Sequence, residues 1–175
     1  MTASRSRLLL TCAVAGATVA GAAVAPALGV RATPQKITAE GVGAVRLGAT
    51  YTALRAAGLV GRIRPGCELA GPQSRSASLR APLRGSVDLT RTTPRRVAGI
   101  TVHGGAGARG VGVGASSTSV RRAFPKAIVD HSAEAVFAIT ILKVPRGGGG
   151  RLDFAVDRTT RQVTFIAVPR ITFCE

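Results

Sequence analysis

The residues of this chain best suited to acid–base chemistry lie in one short stretch, Asp130-His131 followed by Glu134. An imidazole beside carboxylates is the arrangement that a general base or a metal site uses. Neighbouring residues of an extended chain point to opposite sides, so Asp130 and His131 are not expected to share a site. We therefore predict a solvated turn here, with no catalytic residue and no metal ligand.

Other catalytic signals are weak. His103, the other of the two histidines, precedes a pair of glycines, which is typical of a hinge. The chain has no Gly-x-Ser-x-Gly segment, which carries the nucleophile of many hydrolases. The four glycines at residues 147–150 are expected to form a mobile hairpin loop, and a loop that cradles a phosphate is the alternative. The sequence predicts a protein that is not an enzyme and needs no cofactor, and an unrecognised hydrolase is the less favoured alternative.

The N-terminal segment has the features of a secretory signal peptide. Arg5 and Arg7 precede a run from residue 8 to 25 that is rich in alanine, glycine, valine and leucine, and small residues follow at possible cleavage sites. We predict that residues 1–32 are removed and that the mature protein is secreted. Retention as an N-terminal membrane anchor is the alternative, although alanine and glycine hold a bilayer less strongly than leucine or isoleucine.

Two cysteines remain beyond the predicted signal peptide, Cys67 and Cys174. In an oxidising compartment an even pair predicts a structural disulfide. Closing a loop of about 107 residues stabilises by ~4–5 kcal/mol in the chain-entropy model. The spacing fits neither the C-x-x-C motif of thiol oxidoreductases nor a zinc cluster. We expect this disulfide to tie the end of the chain to its first half.

A stretch of the sequence recurs 66 positions later without a gap: VRLGATYTALRAA at 45–57 returns as VGVGASSTSVRRA at 111–123. In both copies a glycine, which allows a turn with positive φ, comes shortly before Thr50 or Ser116. Their hydroxyls can accept hydrogen bonds from the first helical turn, so both residues are predicted helix N-caps. The alternative, an anion-binding helix start, lacks the surrounding phosphate-loop pattern.

Beyond each predicted helix the apolar residues alternate, as in β-strands. In the second half, residues 137–144, 151–157 and 162–168 are predicted strands, and 151–157 alternates between a buried and a solvated face. The first half shows this pattern less clearly. Residues 71–82 contain prolines, serines and arginines, so we expect a loop there with at most a short edge strand.

These elements predict an α+β fold of two tandem modules, residues 33–103 and 104–175. Each module is expected to be a short helix packed on a small antiparallel β-sheet. Most phenylalanines are expected in the core: Phe124, Phe137, Phe154 and Phe165.

The order of motifs carries a resemblance. GVGAVRLGATYTALRAAG, a mid-chain cysteine, a strand ending ITVHG, GVGVGASSTSVRRAFP and a closing FCE resemble a group of secreted actinobacterial proteins of unknown function. Their halves resemble the tandem modules of the β-lactamase inhibitory protein family. That resemblance implies a helical segment on an antiparallel sheet in each module, with sheet faces and loops that grip an enzyme. Such interfaces rely on Tyr and Trp anchors. Because this chain has no Trp and one Tyr, Tyr51, we do not expect β-lactamase inhibition.

Positive charge is the strongest compositional feature. The chain has 24 Lys plus Arg against 8 Asp plus Glu, a formal net charge of +16. Such a surface attracts polyanions at long range. The densest basic pairs, Arg95-Arg96 and Arg121-Arg122, are the predicted contacts. An arginine bias from GC-rich coding is the alternative explanation.

The residues that surround the basic side chains indicate the kind of partner. Basic residues are not interleaved with aromatic residues, so sequence-specific nucleic-acid binding is not expected. We predict a secreted, non-catalytic binding protein that presents a basic surface to a protein or to an anionic component of the cell envelope. A structural envelope protein without a specific ligand is the alternative.

Overall fold

The computed structural model describes residues 33–173, so the predicted signal peptide and Cys174 lie outside the described residues. Within that range the chain is mostly β-strand, with three short α-helices. The strands are β1 (Gln35–Thr38), β2 (Gly41–Val42), β3 (Val45–Arg46), β4 (Val60–Pro65), β5 (Arg75–Leu79), β6 (Arg84–Leu89), β7 (Val97–Gly104), β8 (Ala106–Ala108), β9 (Val111–Gly112), β10 (Ile128–Asp130), β11 (Ile139–Pro145), β12 (Arg151–Asp157) and β13 (Val163–Val168). The helices are α1 (Tyr51–Ala56), α2 (Ser117–Ala123) and α3 (Glu134–Phe137). The predicted mixture of strands and short helices is confirmed.

Eight strands form one antiparallel sheet in the order β10-β11-β12-β13-β7-β6-β5-β4. Four strands from each half of the chain meet at β13 and β7, where Ile166 lies opposite Val102. The three strands predicted in the second half correspond to β11, β12 and β13 within two residues at each end. Two small separate sheets were expected, whereas the strands β4–β7 and β10–β13 form one continuous sheet.

One face of the eight-stranded sheet carries the core. Val87 lies opposite Ile100, and Phe154 lies opposite Ile166. All four side chains are at most 1% exposed, and full burial of a side chain of this size contributes about 1.5–3 kcal/mol. One buried residue from each of the two longer helices joins the same cluster: Leu54 and Val120. The helices therefore cover the core face of the sheet.

Five short strands form a second sheet in the order β3-β2-β1-β8-β9. Its central pair is parallel, with Gln35 opposite Ala106 and Lys36 opposite Gly107. The chain reaches β8 through Gly105, whose φ is +81° and where a Cβ atom would lie 2.1 Å from the carbonyl oxygen of Pro82. The predicted hinge at this point is thus a close backbone contact that only glycine fits.

The expectation of a loop at residues 71–82 is wrong. Strand β5 occupies part of this range and pairs with β4 on one side and β6 on the other. Ala77 and Leu79 are buried on the core face, at 0% and 7% exposure. The small and polar residues have low strand propensity, but pairing on both sides outweighs that propensity.

The expectation of a solvated face on β12 is also wrong. Asp153 is 1% exposed and Ala155 is fully buried. The C-terminal segment contacts this face, because the amide of Ile171 donates a hydrogen bond of 3.1 Å to Oδ2 of Asp153. Arg151 places Nε 2.7 Å from Oδ1 of Asp153 without hydrogen-bond alignment, and its Nη2 donates to Oδ2 at 2.9 Å. Burial raises the pKa of Asp153.

Two of the four expected core phenylalanines are not buried. Phe124 and Phe154 are buried, at 3% and 0% exposure, whereas Phe137 and Phe165 are only partly buried. The ring of Phe165 lies 5.5 Å from that of His103, centroid to centroid. Both phenylalanines lie outside the main core cluster.

Backbone hydrogen bonds around α1 and α2 recur with the 66-residue spacing of the sequence. In each half an amide before the helix donates to the first residue of the last strand, and the first amide of the helix donates to a carbonyl two residues before that strand. The pairs are Gly48 to Val97 and Gly114 to Val163, both 2.8 Å, and Tyr51 to Arg95 and Ser117 to Arg161, both 2.9 Å. Each helix therefore begins at the same place relative to the last strand of its half.

Candidate functional site

The predicted helix caps lie at the starts of α1 and α2. The Thr50 hydroxyl accepts a hydrogen bond of 3.3 Å from the amide of Ala53. The Ser116 hydroxyl accepts one of 3.2 Å from the amide of Ser119. These hydroxyls satisfy amides that the helix itself leaves without acceptors, so their role is structural.

The predicted polyanion contacts lie in different surroundings. Nη1 of Arg95 donates to the carbonyl of Thr90 at 3.3 Å, and Nη1 of Arg96 donates to the carbonyl of Gly48 at 2.9 Å. Those two guanidinium groups hold loops together. Arg121 and Arg122 are exposed on α2, and Arg121 lines a cleft with His131.

Three adjoining cavities meet at Arg109, with volumes of about 570, 530 and 350 Å³. Arg109 lines all three, Lys36 lines two, and Arg146 lines two. We call this surface the Arg109 groove and define it by its charged residues: Lys36, Glu40, Arg84, Arg109, Lys126 and Arg146. Five of the six are cationic. The groove lies where β1 and β8 meet the loop after β11.

Two guanidinium groups lie against one aromatic ring in the groove. The Cζ atoms of Arg109 and Arg146 are 5.3 and 5.7 Å from the ring centroid of Phe124. Nη1 of Arg109 also donates to the carbonyl of Ala123 at 3.2 Å. A cation–π contact at an exposed site contributes about 0.5–1 kcal/mol. The ring therefore holds two positive charges close together at the centre of the groove.

The remaining charges of the groove do not neutralise it. A hydrogen bond from Thr38 and the nearby Arg46 and Arg146 charges lower the pKa of Glu40, so this carboxylate is ionised at neutral pH. It is the one acidic residue among the residues that line the three cavities. Arg84 lies over Gly104, where a Cβ atom would be 2.6 Å from Nη2 of the guanidinium. The groove therefore presents a net positive surface.

The cluster that the sequence singles out divides into two pairs. Asp130 pairs with Lys143 and accepts a hydrogen bond of 2.9 Å from the amide of Ser132. These contacts hold the pKa of Asp130 well below its usual value. Nδ1 of His131 lies 2.6 Å from Oε1 of Glu134. Asp130 and His131 therefore contact different partners, Lys143 and Glu134.

The chemistry of His131 is limited by what surrounds it. A hydrogen bond from the Thr140 hydroxyl and the contact with His131 lower the pKa of Glu134, so the carboxylate accepts and Nδ1 of the imidazole carries the hydrogen. Among residues 33–173, no Ser, Thr or Cys side chain is hydrogen-bonded to the imidazole. A His–carboxylate pair activates a nucleophile only when it contacts one.

Cys67 lies beside the C-terminal segment. It is 8% exposed, and its Sγ is 3.6 Å from the carbonyl oxygen of Phe173, the residue before Cys174. The ring of Phe173 stacks on that of Phe137 with centroids 4.2 Å apart. The end of the described chain therefore lies next to the first predicted disulfide cysteine.

The groove residues were not identified by sequence reasoning. Lys36 and Arg109 are isolated in the sequence, without another basic residue beside them. They come together because β1 and β8 pair across about 70 residues of chain, a parallel pairing for which the sequence had no local signal. Density of basic residues along the chain was therefore a poor guide to density on the surface.

Residues 33–173 offer neither a metal cluster nor a membrane-spanning helix. That range contains no group of three or more His, Cys, Asp or Glu placed to hold a metal ion. None of its helices has the length and apolar character needed to cross a bilayer. Comparison with protein-family models, with curated proteins and with solved structures finds no match for this chain.

Proposed function

We propose that this is a secreted, non-catalytic binding protein whose Arg109 groove holds an anionic polymer of the cell envelope. The observation that carries the proposal is the pair of guanidinium groups of Arg109 and Arg146 against Phe124, where three cavities meet. Guanidinium groups match phosphate and carboxylate oxygens in geometry as well as in charge. A polymer occupies adjoining cavities more fully than a small ion does.

Burial of the aromatic ring favours a polymer without bases. Nucleic-acid grooves use exposed aromatic rings on which bases stack. Phe124 is 3% exposed, so its ring supports the two arginines and is not available to a base. A polyphosphate or acidic polysaccharide backbone needs only the cationic groups.

A matched pair of double variants tests the proposal. R109Q/R146Q and R62Q/R80Q remove the same charge, but Arg62 and Arg80 do not line the groove. Binding to immobilised poly(glycerol phosphate) is measured at low and high salt, with dextran as the neutral polymer. We expect R109Q/R146Q to lose at least tenfold in affinity and R62Q/R80Q to lose less than threefold.

Equal losses in the two double variants would mean that net charge alone causes adhesion. Binding that is insensitive to salt and to both double variants would instead indicate a protein partner at another surface, since exposed charge contacts are screened by salt. Either result overturns the assignment of the groove.

We also propose that the described fold consists of two related modules. The support is the recurrence of the helix-start hydrogen bonds at a 66-residue spacing and the strand order, which runs outward in the same way from β7 and from β13. The same arrangement, a helix followed by four antiparallel strands, supports the resemblance to the tandem modules of the β-lactamase inhibitory protein family. A sequence boundary near residue 104 follows from this proposal.

We propose a disulfide between Cys67 and Cys174. The 3.6 Å approach of the Cys67 sulfur to the carbonyl of the residue before Cys174 supports it. Peptide mapping of the exported protein without reductant should yield one linked peptide that contains both cysteines, and its N-terminal sequencing should locate the cleavage site. Two separate peptides, each alkylated at its cysteine, would rule the bond out.

A further inference from the structure

A cleft of about 210 Å³ lies beside α2, away from the Arg109 groove. Three guanidinium groups line it: those of Arg121 on α2, and of Arg158 and Arg161 in the turn between β12 and β13. His131, Ser117 and Glu134 line it as well, so one carboxylate offsets one of the three positive charges. A space of this size suits a small anionic group and is too small for a folded partner.

The chain contains an internal comparison for this cleft. The residues 66 positions earlier occupy the matching places around α1, because Tyr51 and Ser117 donate to Arg95 and Arg161 through the same backbone hydrogen bond of 2.9 Å. The corresponding pairs are Tyr51 with Ser117, Arg55 with Arg121, and Arg95 with Arg161. Two arginines are thus common to both halves, and the residue beside them is large in one half and small in the other.

In the first half both arginines are used to hold the backbone. Nη1 of Arg55 donates to the carbonyl of Val60 at 3.2 Å, and Nη1 of Arg95 donates to the carbonyl of Thr90 at 3.3 Å. The Tyr51 hydroxyl donates to the carbonyl of Gly61 at 3.2 Å. Each polar side chain of this set is therefore engaged with a backbone carbonyl of its own half.

In the second half the matching arginines, Arg121 and Arg161, make no such hydrogen bonds to the backbone that the structure describes. Within residues 33–173, the side chains of Arg121 and Arg161 make no hydrogen bond or ion pair, and both face the cleft. Ser117 stands where the first half has a tyrosine, so the space is open. Arg158 lies 3.8 Å from Glu134, and that carboxylate is already engaged by Thr140 and His131.

We infer that this cleft binds a terminal phosphate group, the dianion of a phosphomonoester. A planar guanidinium group can donate two parallel hydrogen bonds to two oxygens of one phosphate. Such charge-assisted hydrogen bonds are about twice as strong as neutral ones. Arg121 and Arg161 supply the main contacts, the Ser117 hydroxyl supplies another donor, and Glu134 orients His131 at the rim. A diester within a polymer has one negative charge and substituents on both sides, so it matches three guanidinium groups in a small cleft less well than a dianion does.

The inference does not depend on the Arg109 groove, because the two sites share no lining residue. Binding of inorganic phosphate and of glycerol 1-phosphate is measured by calorimetry at constant ionic strength. A soluble diester, glycerophosphoglycerol, distinguishes a terminal phosphate from a polymer unit. Phosphatidic acid vesicles distinguish a lipid headgroup from a soluble phosphomonoester.

Four variants locate the binding. R121Q should weaken phosphate binding at least tenfold, whereas R122Q, which removes the neighbouring exposed arginine that does not line the cleft, should leave it within twofold. S117Y introduces the residue of the first half, which fills the cleft without changing the charge, and it should abolish binding. R62Q/R80Q, whose arginines line neither this cleft nor the Arg109 groove, should bind phosphate like the wild type.

Melting curves establish that each variant is folded. The inference is overturned if wild-type protein binds neither phosphate nor glycerol 1-phosphate up to about 10 mM, ten times a Kd of ~1 mM. It is equally overturned if R122Q weakens binding as much as R121Q does, or if S117Y binds like the wild type. Tighter binding of the diester than of the monoester contradicts the choice of a terminal phosphate.

Discussion

The buried carboxylate of Asp153 should tolerate loss of its charge but not loss of its shape. Burial is the largest influence on its pKa and raises it, and the contacts with Ile171 and Arg151 only partly offset this effect. The ionised form is therefore held at a net disadvantage. Asp153→Asn keeps an oxygen to accept the Ile171 amide and removes the buried charge, whereas Asp153→Ala removes the acceptor as well.

The structure sets the size of the two effects. In D153A the amide of Ile171, which is partly buried, loses its acceptor, and a donor left unsatisfied by burial costs about 1–3 kcal/mol. The loss of the Arg151 contact adds only ~0–1 kcal/mol, because the Arg151 side chain is 36% exposed. We expect D153A to lower the free energy of unfolding by about 2–3 kcal/mol and D153N to change it by less than ~1 kcal/mol.

Urea unfolding of the oxidised protein measures these differences directly. With a shift of about 4 °C per kcal/mol for a chain of this size, D153A should also melt roughly 8–12 °C below the wild type. If D153N proves as destabilising as D153A, the charge of Asp153 is essential, and the argument that burial opposes its ionisation is refuted.

The remaining predictions concern the backbone and acid sensitivity. Gly105→Ala should destabilise more than Gly110→Ala in urea unfolding: both glycines have positive φ, which costs ~1–3 kcal/mol of strain for alanine, but only at Gly105 would the new Cβ meet a carbonyl oxygen, that of Pro82. Equal effects would show that the Gly105 contact relaxes freely. The lowered pKa of Asp130 means that its contact with Lys143 stabilises the fold above the unfolded pKa of ~4 and is lost as pH falls through the folded value. Stability of Asp130→Asn should therefore fall less steeply below about pH 4 than that of the wild type, and parallel curves would contradict this assignment.

Burial of Asp88 and Asp153 acts in the opposite direction. Both pKa values are raised by desolvation, so these groups favour folding more as the solution becomes acidic and lose that contribution as pH rises through their folded values. The change in stability at acidic pH, the acid limb of the stability curve, is therefore the sum of two opposite contributions, from carboxylates with lowered pKa and from carboxylates with raised pKa. For that reason the Asp130 variant is compared with the wild type over the whole limb and not at a single pH.

Features that depend on nearby residues could be predicted from the sequence. The hydroxyl of a helix cap accepts from an amide three residues later, within one helical turn. Thr50 and Ser116 can therefore be identified as caps from the local sequence alone. Strands β11, β12 and β13 have strong apolar alternation and a turn between the last two, with Asp157 accepting from the amide of Arg161 through its carbonyl at 2.9 Å. Such signals do not need knowledge of the rest of the fold.

Features that depend on distant contacts could not be predicted in this way. Strand β5 has little strand propensity of its own and is stabilised by its two neighbours. The alternation of β12 predicts a solvated Asp153, and only the contact with the C-terminal segment, through the amide of Ile171, shows that it is buried. The Arg109 groove requires the parallel pairing of β1 with β8. The correspondence of Arg121 and Arg161 with Arg55 and Arg95 requires the matching backbone hydrogen bonds of the two halves.

Amide hydrogen exchange with and without poly(glycerol phosphate) tests the proposed function most directly, because it reports where the polymer binds. With saturating polymer, we expect slower exchange in residues 36–40, 105–110 and 145–147, which border the Arg109 groove, and unchanged exchange in β4, the edge strand of the eight-stranded sheet. Protection confined to surfaces outside the groove, or unchanged exchange throughout, would contradict the proposal.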